Sequence, residues 1–164
     1  MNDRVFVVLT FASALGCGLT AGVFFAFSSF VMKALARLPV PQGIAAMNSI
    51  NVLAVNPLFM TALFATAGAC LLVAFWTLVA WQRPGGAYLL VGAVFYVVGT
   101  VLVTIVFNVP RNNALGAVNP SSADGARLWA DYVTSWTAWN HVRTIAALVA
   151  AALFTFGLCV THVR

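Results

Sequence analysis

Arg143 is the one charged side chain inside the last apolar run of this sequence, with Asn140 three residues and Trp136 seven residues before it. At that spacing the three share one face of a helix. A charge inside a membrane segment is costly, so its presence reads first as a functional site. His141 sits about 100° around the same helix from Asn140, and it is the only nearby base that titrates near neutral pH. A second polar group, Asn108-Val109-Pro110-Arg111-Asn112-Asn113, ends another apolar run. There Pro110 is expected to break the helix and leave carbonyls in need of partners. Asn48, Asn51 and Asn56 approach the same end from a third segment. Two readings are open. Arg143 and Asn140 cap the freed carbonyls and hold the loops together, or the same residues form a polar pocket walled by Trp136 and Trp139.

The residues that are missing narrow the chemistry. The three acids, Asp3, Asp124 and Asp131, all fall outside the apolar runs, so no intramembrane carboxylate is available for proton-coupled export. His141 and His162 are the only histidines, too few for a bis-histidine haem or a histidine-rich di-iron centre. No metal or other cofactor is expected, which leaves metal-free chemistry or binding alone. Cys17, Cys70 and Cys159 lie singly in three runs with no C-x-x-C pair, and are expected to be apolar filler.

These residues need elements to hold them. Hydrophobic residues make up 63% of the chain and charged ones 7%, against about 45–50% and about 25% in soluble domains. Four uninterrupted runs, approximately 5–32, 57–81, 87–107 and 140–161, are long enough to cross a bilayer. Backbone groups in lipid must be satisfied internally, so each run reads as a helix, and no ten-residue alternation suggests a barrel. The expected fold is all-α: an antiparallel bundle of four transmembrane helices forming a single membrane domain over 1–164, with short interfacial helices in the 1–2 and 3–4 connections. In the first connection Ile44, Met47 and Ile50 recur at helical spacing, and in the third Trp129, Val133, Trp136 and Asn140 form a stripe expected to continue into span four. Ser121 and Ser122 mark that helix's start, and Arg127 is expected to pair with Asp131 four residues on. Between spans two and three lies only the turn Gln82-Arg83-Pro84-Gly85-Gly86. The polar residues therefore collect at the opposite end.

The N-terminal run is too long for a signal peptide and is expected to be retained. The net charge of +5 reflects scarce acids and implies no nucleic acid. The expected setting is a bacterial cytoplasmic (inner) membrane with membrane lipid as partner. Lys33, Arg37, Arg111 and Arg127 at one end nearly balance Arg4, Arg83, Arg164 and the terminal amine at the other. Placing both termini in the cytoplasm thus rests on assigning Arg111 to the site. Trp81 and Tyr88 at one end, and Trp129, Trp136 and Trp139 at the other, fit interfacial aromatic belts. Gly18-Leu19-Thr20-Ala21-Gly22, extended by Ala14 and Ala26, is a small-residue stripe suited to close helix packing within the bundle or to a homo-oligomer. A smooth wall beside a flat ligand is the alternative.

The glycine-rich first span through Val23-Phe24, then Ala46-Met47-Asn48-Ser49-Ile50-Asn51, then Asn108-Val109-Pro110-Arg111-Asn112, then Trp136-Thr137-Ala138-Trp139-Asn140-His141-Val142-Arg143 resembles the anthrone oxygenase-like (DUF1772) membrane family. The resemblance implies recurrent polar positions at Asn51, Asn108, Pro110, Asn112, Asn140 and Arg143. It also implies, for some members, oxidation of anthrones to anthraquinones. An anthrone is a flat apolar tricycle with a weakly acidic C–H, whose carbanion reacts with O₂ without a metal. Such chemistry needs a base and donors aimed at the developing enolate oxygen. His141 is the expected base, with Arg143, Asn140, Asn108 or Asn112 as donors and Trp136 and Trp139 stacked on the rings. The rival reading is a non-catalytic protein that binds a lipophile or serves in membrane assembly.

Overall fold

A computed structural model of the chain describes residues 2–80 and 84–162, the side chains of Thr161 and His162 excepted. The expectations for Trp81, Gln82, Arg83, Arg164 and the His162 side chain lie outside these residues. Every described element is helical. Helix α1 spans Asp3–Leu35, α2 Val40–Ala54, α3 Pro57–Val79, α4 Gly86–Ala117 and α5 Ala123–His162. All but α2 are long and apolar enough to cross a membrane. They pack as a square, α1 against α3 and α5, and α4 against α3 and α5. Phe11, Leu15 and Leu19 on α1, and Leu71, Leu72 and Phe75 on α3, point outward and are exposed. A chain with this many outward apolar side chains is an integral membrane protein.

Local chemistry starts the helices where the sequence places the signals. Asn56 caps α3, its Oδ1 accepting from the Phe59 amide at 2.9 Å, with Pro57 in the first turn. Ser122 Oγ accepts from the Gly125 amide at 2.9 Å at the start of α5. The short turn before α4 needs Gly85, whose φ of 79° lies in the left-handed region. A Cβ on Gly85 would also lie 2.7 Å from the Gly157 carbonyl oxygen. This close approach pins the C-terminal part of α5 to the short-turn end.

Several expectations are corrected. The helix does not break at Pro110: α4 runs on to Ala117, and the expected polar loop shrinks to the few residues before α5. The Pro110 ring would strike the carbonyl of Val106 in a regular α-helix. Val106 instead sits in a wider π-helical stretch, Thr104–Asn108, where the Val109 amide bonds back to the Thr104 carbonyl. The α5 stripe does continue into span four as expected. Arg127 pairs with Asp124 rather than Asp131, and Asp131 accepts weakly from Ser135 Oγ at 3.4 Å. Trp129 and Trp136 are buried rather than in an interfacial belt. Cys17 and Cys70 are fully buried with sulfurs 3.9 Å apart, whereas Cys159 is exposed.

The glycine stripe also behaves differently. Gly18 and Gly22 face open space, so they do not carry packing inside the bundle. The tight contact belongs to Gly16, where a Cβ would fall 2.9 Å from Thr66 Cγ2. Thr66 is held by its own bond to the Ala62 carbonyl and cannot yield easily. Gly16→Leu is therefore expected to cost about 1–3 kcal/mol by overpacking. Gly22→Leu should stay within about 0.5 kcal/mol. Thermal unfolding in detergent checks the contrast, and equal losses would contradict this packing.

Two apolar cores stack along the bundle axis. The larger, with Cys17, Leu63, Tyr96 and Phe154, fills the membrane bundle. The smaller, with Met32, Ile44, Met47, Leu115, Trp129 and Tyr132, fills the end capped by α2. The helix lengths explain the second core. Helix α5 has 40 residues, about 60 Å at 1.5 Å per residue, twice a hydrocarbon core of about 30 Å. The 23-residue α3, about 35 Å long, is close to that thickness, and α1, α4 and α5 project past it to be covered by α2.

Candidate active site

Between the two cores lies a polar layer built from α1, α4 and α5. Asn140 is fully buried and ties the first helix to the last: its Nδ2 donates to the Phe24 carbonyl and to Ser28 Oγ, each at 2.7 Å. Its Oδ1 accepts from Arg143 Nη2 at 2.7 Å. Arg143 is only 4% exposed. Its Nη1 donates to Thr104 Oγ1 at 3.3 Å, and its guanidinium carbon stands 4.2 Å above the Phe24 ring and 5.1 Å from the Trp136 ring. Cation–π contact stabilises a desolvated guanidinium, but the buried Nε has no hydrogen-bond partner. No carboxylate is paired with Arg143 among the described residues, and Asp3, Asp124 and Asp131 are all exposed. The bonds from Asn140 run to α1, so it does not cap freed carbonyls of α4. Arg111 takes that part, donating to the Phe107 carbonyl at 2.7 Å.

A cavity of about 430 Å³ borders this layer, a volume suited to a small organic molecule by comparison with ligand pockets of about 300–1,000 Å³. Phe24, Phe27, Phe59 and Trp136 supply aromatic wall, Met47 and Leu63 aliphatic wall, and Arg143, Asn51, Asn56, Thr104 and Asn112 the polar points. Its lining also includes Leu53, Val55 and Val109, all exposed, which mark the mouth. Asn112 is oriented unambiguously. Its Oδ1 accepts from Trp136 Nε1 and Tyr132 Oη, both at 2.8 Å, and an indole N–H can only donate. The amide NH₂ of Asn112 is thus the part free to meet a ligand. Asn51 carries a buried Nδ2 that lies beside the Tyr132 hydroxyl without a hydrogen bond of good geometry. Loss of the two Asn112 bonds in Asn112→Leu would strand two donors, at a cost of about 1–3 kcal/mol each. Thermal unfolding, with the Trp136 emission as a local reporter, checks that expectation.

The structure gathers some of the sequence-predicted residues and leaves others apart. Arg143, Asn51, Asn112 and Trp136 all line the cavity, and Asn140 holds Arg143 from behind. Asn108 is buried just behind the wall, its Nδ2 donating to the Trp136 carbonyl at 3.2 Å and its Oδ1 unpaired. Trp139 turns away and stacks on Phe107, centroids 3.6 Å apart. His141 is exposed and does not line the cavity. One residue step rotates the chain about 100°, which carries it from the buried Asn140 face to the outer surface. Tyr132, Ser28 and Thr104 were not singled out by the sequence reading. Tyr132 lies one turn before Trp136 on the stripe already recognised, so the periodicity contained that signal. Ser28 and Thr104 are small hydroxyls among many in apolar runs, and nothing local distinguishes them.

Depth in the membrane follows from the helix register. Gly157 lies at the short-turn end, and Arg143 is about 21 Å further along α5 at 1.5 Å per residue. Phe59 is about 30 Å from the same end along α3. If the short-turn end marks one edge of a hydrocarbon core about 30 Å thick, the cavity would span from its outer third to the opposite boundary.

Comparison with curated proteins and with solved structures gives no match. The sequence profile of the family described as anthrone oxygenase matches residues 51–153. That stretch starts at Asn51 and includes Thr104, Asn108, Asn112, Trp136, Asn140 and Arg143, while α1 with its Gly18–Phe24 pattern lies outside it. The match covers more than half of the chain, and the chain belongs to the anthrone oxygenase family.

Proposed function

We propose that this protein is a cofactor-independent oxygenase that converts a flat, phenolic, anthrone-type substrate to its quinone with O₂. The observation that carries this reading is a buried guanidinium with no acid partner, set in an aromatic-walled cavity of suitable size. Family membership supports the reaction class. In the reaction the methylene carbon of the anthrone loses a proton, and the resulting carbanion, an enolate by resonance, adds O₂. The hydroperoxide formed loses water, so one oxygen atom stays as the new carbonyl and the other leaves as water. Arg143 and the amide groups of Asn51 and Asn112 hold the oxygen on which the enolate charge collects, and donors placed there in advance lower the barrier. Phe24, Phe27 and Trp136 hold the rings. The setting in this reading is a bacterial cytoplasmic membrane with both termini inside, the cavity opening at the opposite face.

Oxygen uptake by the purified protein in detergent, with a panel of hydroxylated anthrones, tests the proposal. The expected result is one O₂ consumed per quinone formed, above the spontaneous rate. No uptake across the panel, with a lipid or quinone retained in native mass spectrometry, would instead make the chain a lipophile-binding protein.

A further inference from the structure

The cavity wall is one-sided in its chemistry. Its charged group is Arg143, whose buried Nε is a donor without a partner. Among the described residues no acid and no histidine lines it. Around Arg143 and its cavity, Phe24 and Ser28 on α1, Met47 and Asn51 on α2, Phe59 and Leu63 on α3, and Thr104 and Asn112 on α4 do not titrate near neutrality. On α5 Tyr132 is titratable, but its hydroxyl is already donated to Asn112 Oδ1, and His141 is exposed. A guanidinium buried without a counter-charge is unfavourable, and a ligand oxyanion is the group that would relieve it.

We infer that the site supplies no proton-abstracting base and instead takes its substrate as the oxyanion, selecting an acidic hydroxyl or enolisable ketone on an apolar aromatic body. The proton passes to water at the mouth, the bond to hydrogen breaks, and the electron pair stays on the ligand, its charge on the oxygen facing Arg143. The rate part of this inference rests on the oxygenase reading; the binding part does not. A cavity near the edge of the hydrocarbon would suit such a ligand, since the aromatic body partitions into lipid while its acidic oxygen stays in reach of water.

The binding part is tested with 1,8-dihydroxyanthraquinone, a redox-stable dye whose colour changes on ionisation, titrated into the purified full chain in detergent. Its ionisation midpoint is expected to fall by about 1–3 pH units when bound, as for an acid set beside a fixed opposite charge. The 1,8-dimethoxy analogue should bind at least about tenfold more weakly, which corresponds to about 1.4 kcal/mol. Arg143→Lys should keep part of the colour shift and Arg143→Gln should lose it. An unshifted midpoint, or equal binding of the dimethoxy compound, overturns the inference without needing any variant. The rate part is tested by the pH profile of oxygen uptake. Its midpoint should follow the acidity of the substrate when two anthrones of different acidity are compared, and should not move in Tyr132→Phe or His141→Ala. A midpoint that stays fixed between substrates, or that either variant moves, reveals a protein base and overturns the rate part. A shifted dye midpoint with no oxygen uptake would retain the oxyanion seat and reject the oxygenase reading.

Discussion

Arg143→Ala is expected to lower kcat/KM for anthrone oxidation by about 100-fold or more, because removing one preorganised donor at a developing oxyanion costs about 10²–10³ in rate. The decisive feature is that stability should move much less than activity. Truncation removes the donor to Asn140 Oδ1 and to Thr104 Oγ1 and opens space between Phe24 and Trp136. It also removes a desolvated charge that has no acid partner, and the two effects oppose each other. A melting temperature near that of the parent with turnover lost would fit Arg143 as a ligand-binding group. Parallel loss of both would make Arg143 a structural member of the polar layer. Arg143→Lys should fall between, since a single ammonium restores charge but cannot reach Thr104 and Asn140 in the fixed geometry of a guanidinium fork.

The membrane fold was legible because its signal is strong and simple: four long apolar runs admit few structures in lipid. What escaped was set by contacts between helices. Pro110 reads as a helix end by local rules, yet the π stretch at Thr104–Asn108 accommodates it, and that stretch aims Thr104 at Arg143 and Asn112 at Trp136. Gly18 and Gly22 match a packing motif, but the neighbouring helix approaches at Gly16, about 200° around the helix from Gly18. The site was half visible for the same reason. Asn140, Arg143 and Trp136 share a face by spacing alone, so the periodicity found them. His141 drew attention by its chemistry, while its position on the outer surface followed from the same periodicity. Asn51 joins the site only because α2 folds back over α4, with Asn48 Nδ2 donating to the Leu115 carbonyl at 3.2 Å, a contact between residues far apart in sequence.

Asn140→Leu provides the complementary experiment, with the larger effect on the fold. Asn140 is fully buried and makes three side-chain bonds, two to α1 and one to Arg143. Hydrogen bonds to a charged group contribute about 1.5–3 kcal/mol and neutral ones about 1 kcal/mol, while measured interhelical bonds in membranes average somewhat less. Leucine fits the volume but strands the Arg143 Nη2 group. The net loss is therefore expected at about 3–5 kcal/mol, read as a fall in the unfolding midpoint in detergent and as proteolysis near the α1–α5 contact. Ser28 keeps its bond with Thr144 Oγ1 at 3.0 Å, so the damage should concentrate on Arg143. Asn140→Asp separates the two roles. It keeps an acceptor for Arg143 and adds the acid partner that the site lacks, so stability should recover in part. The new carboxylate would also neutralise the guanidinium and repel an oxyanion, so ligand binding should stay weak even in folded protein. A stable Asn140→Asp protein that binds the ionised dye as tightly as the parent would show that the charge of Arg143 is not what the ligand meets.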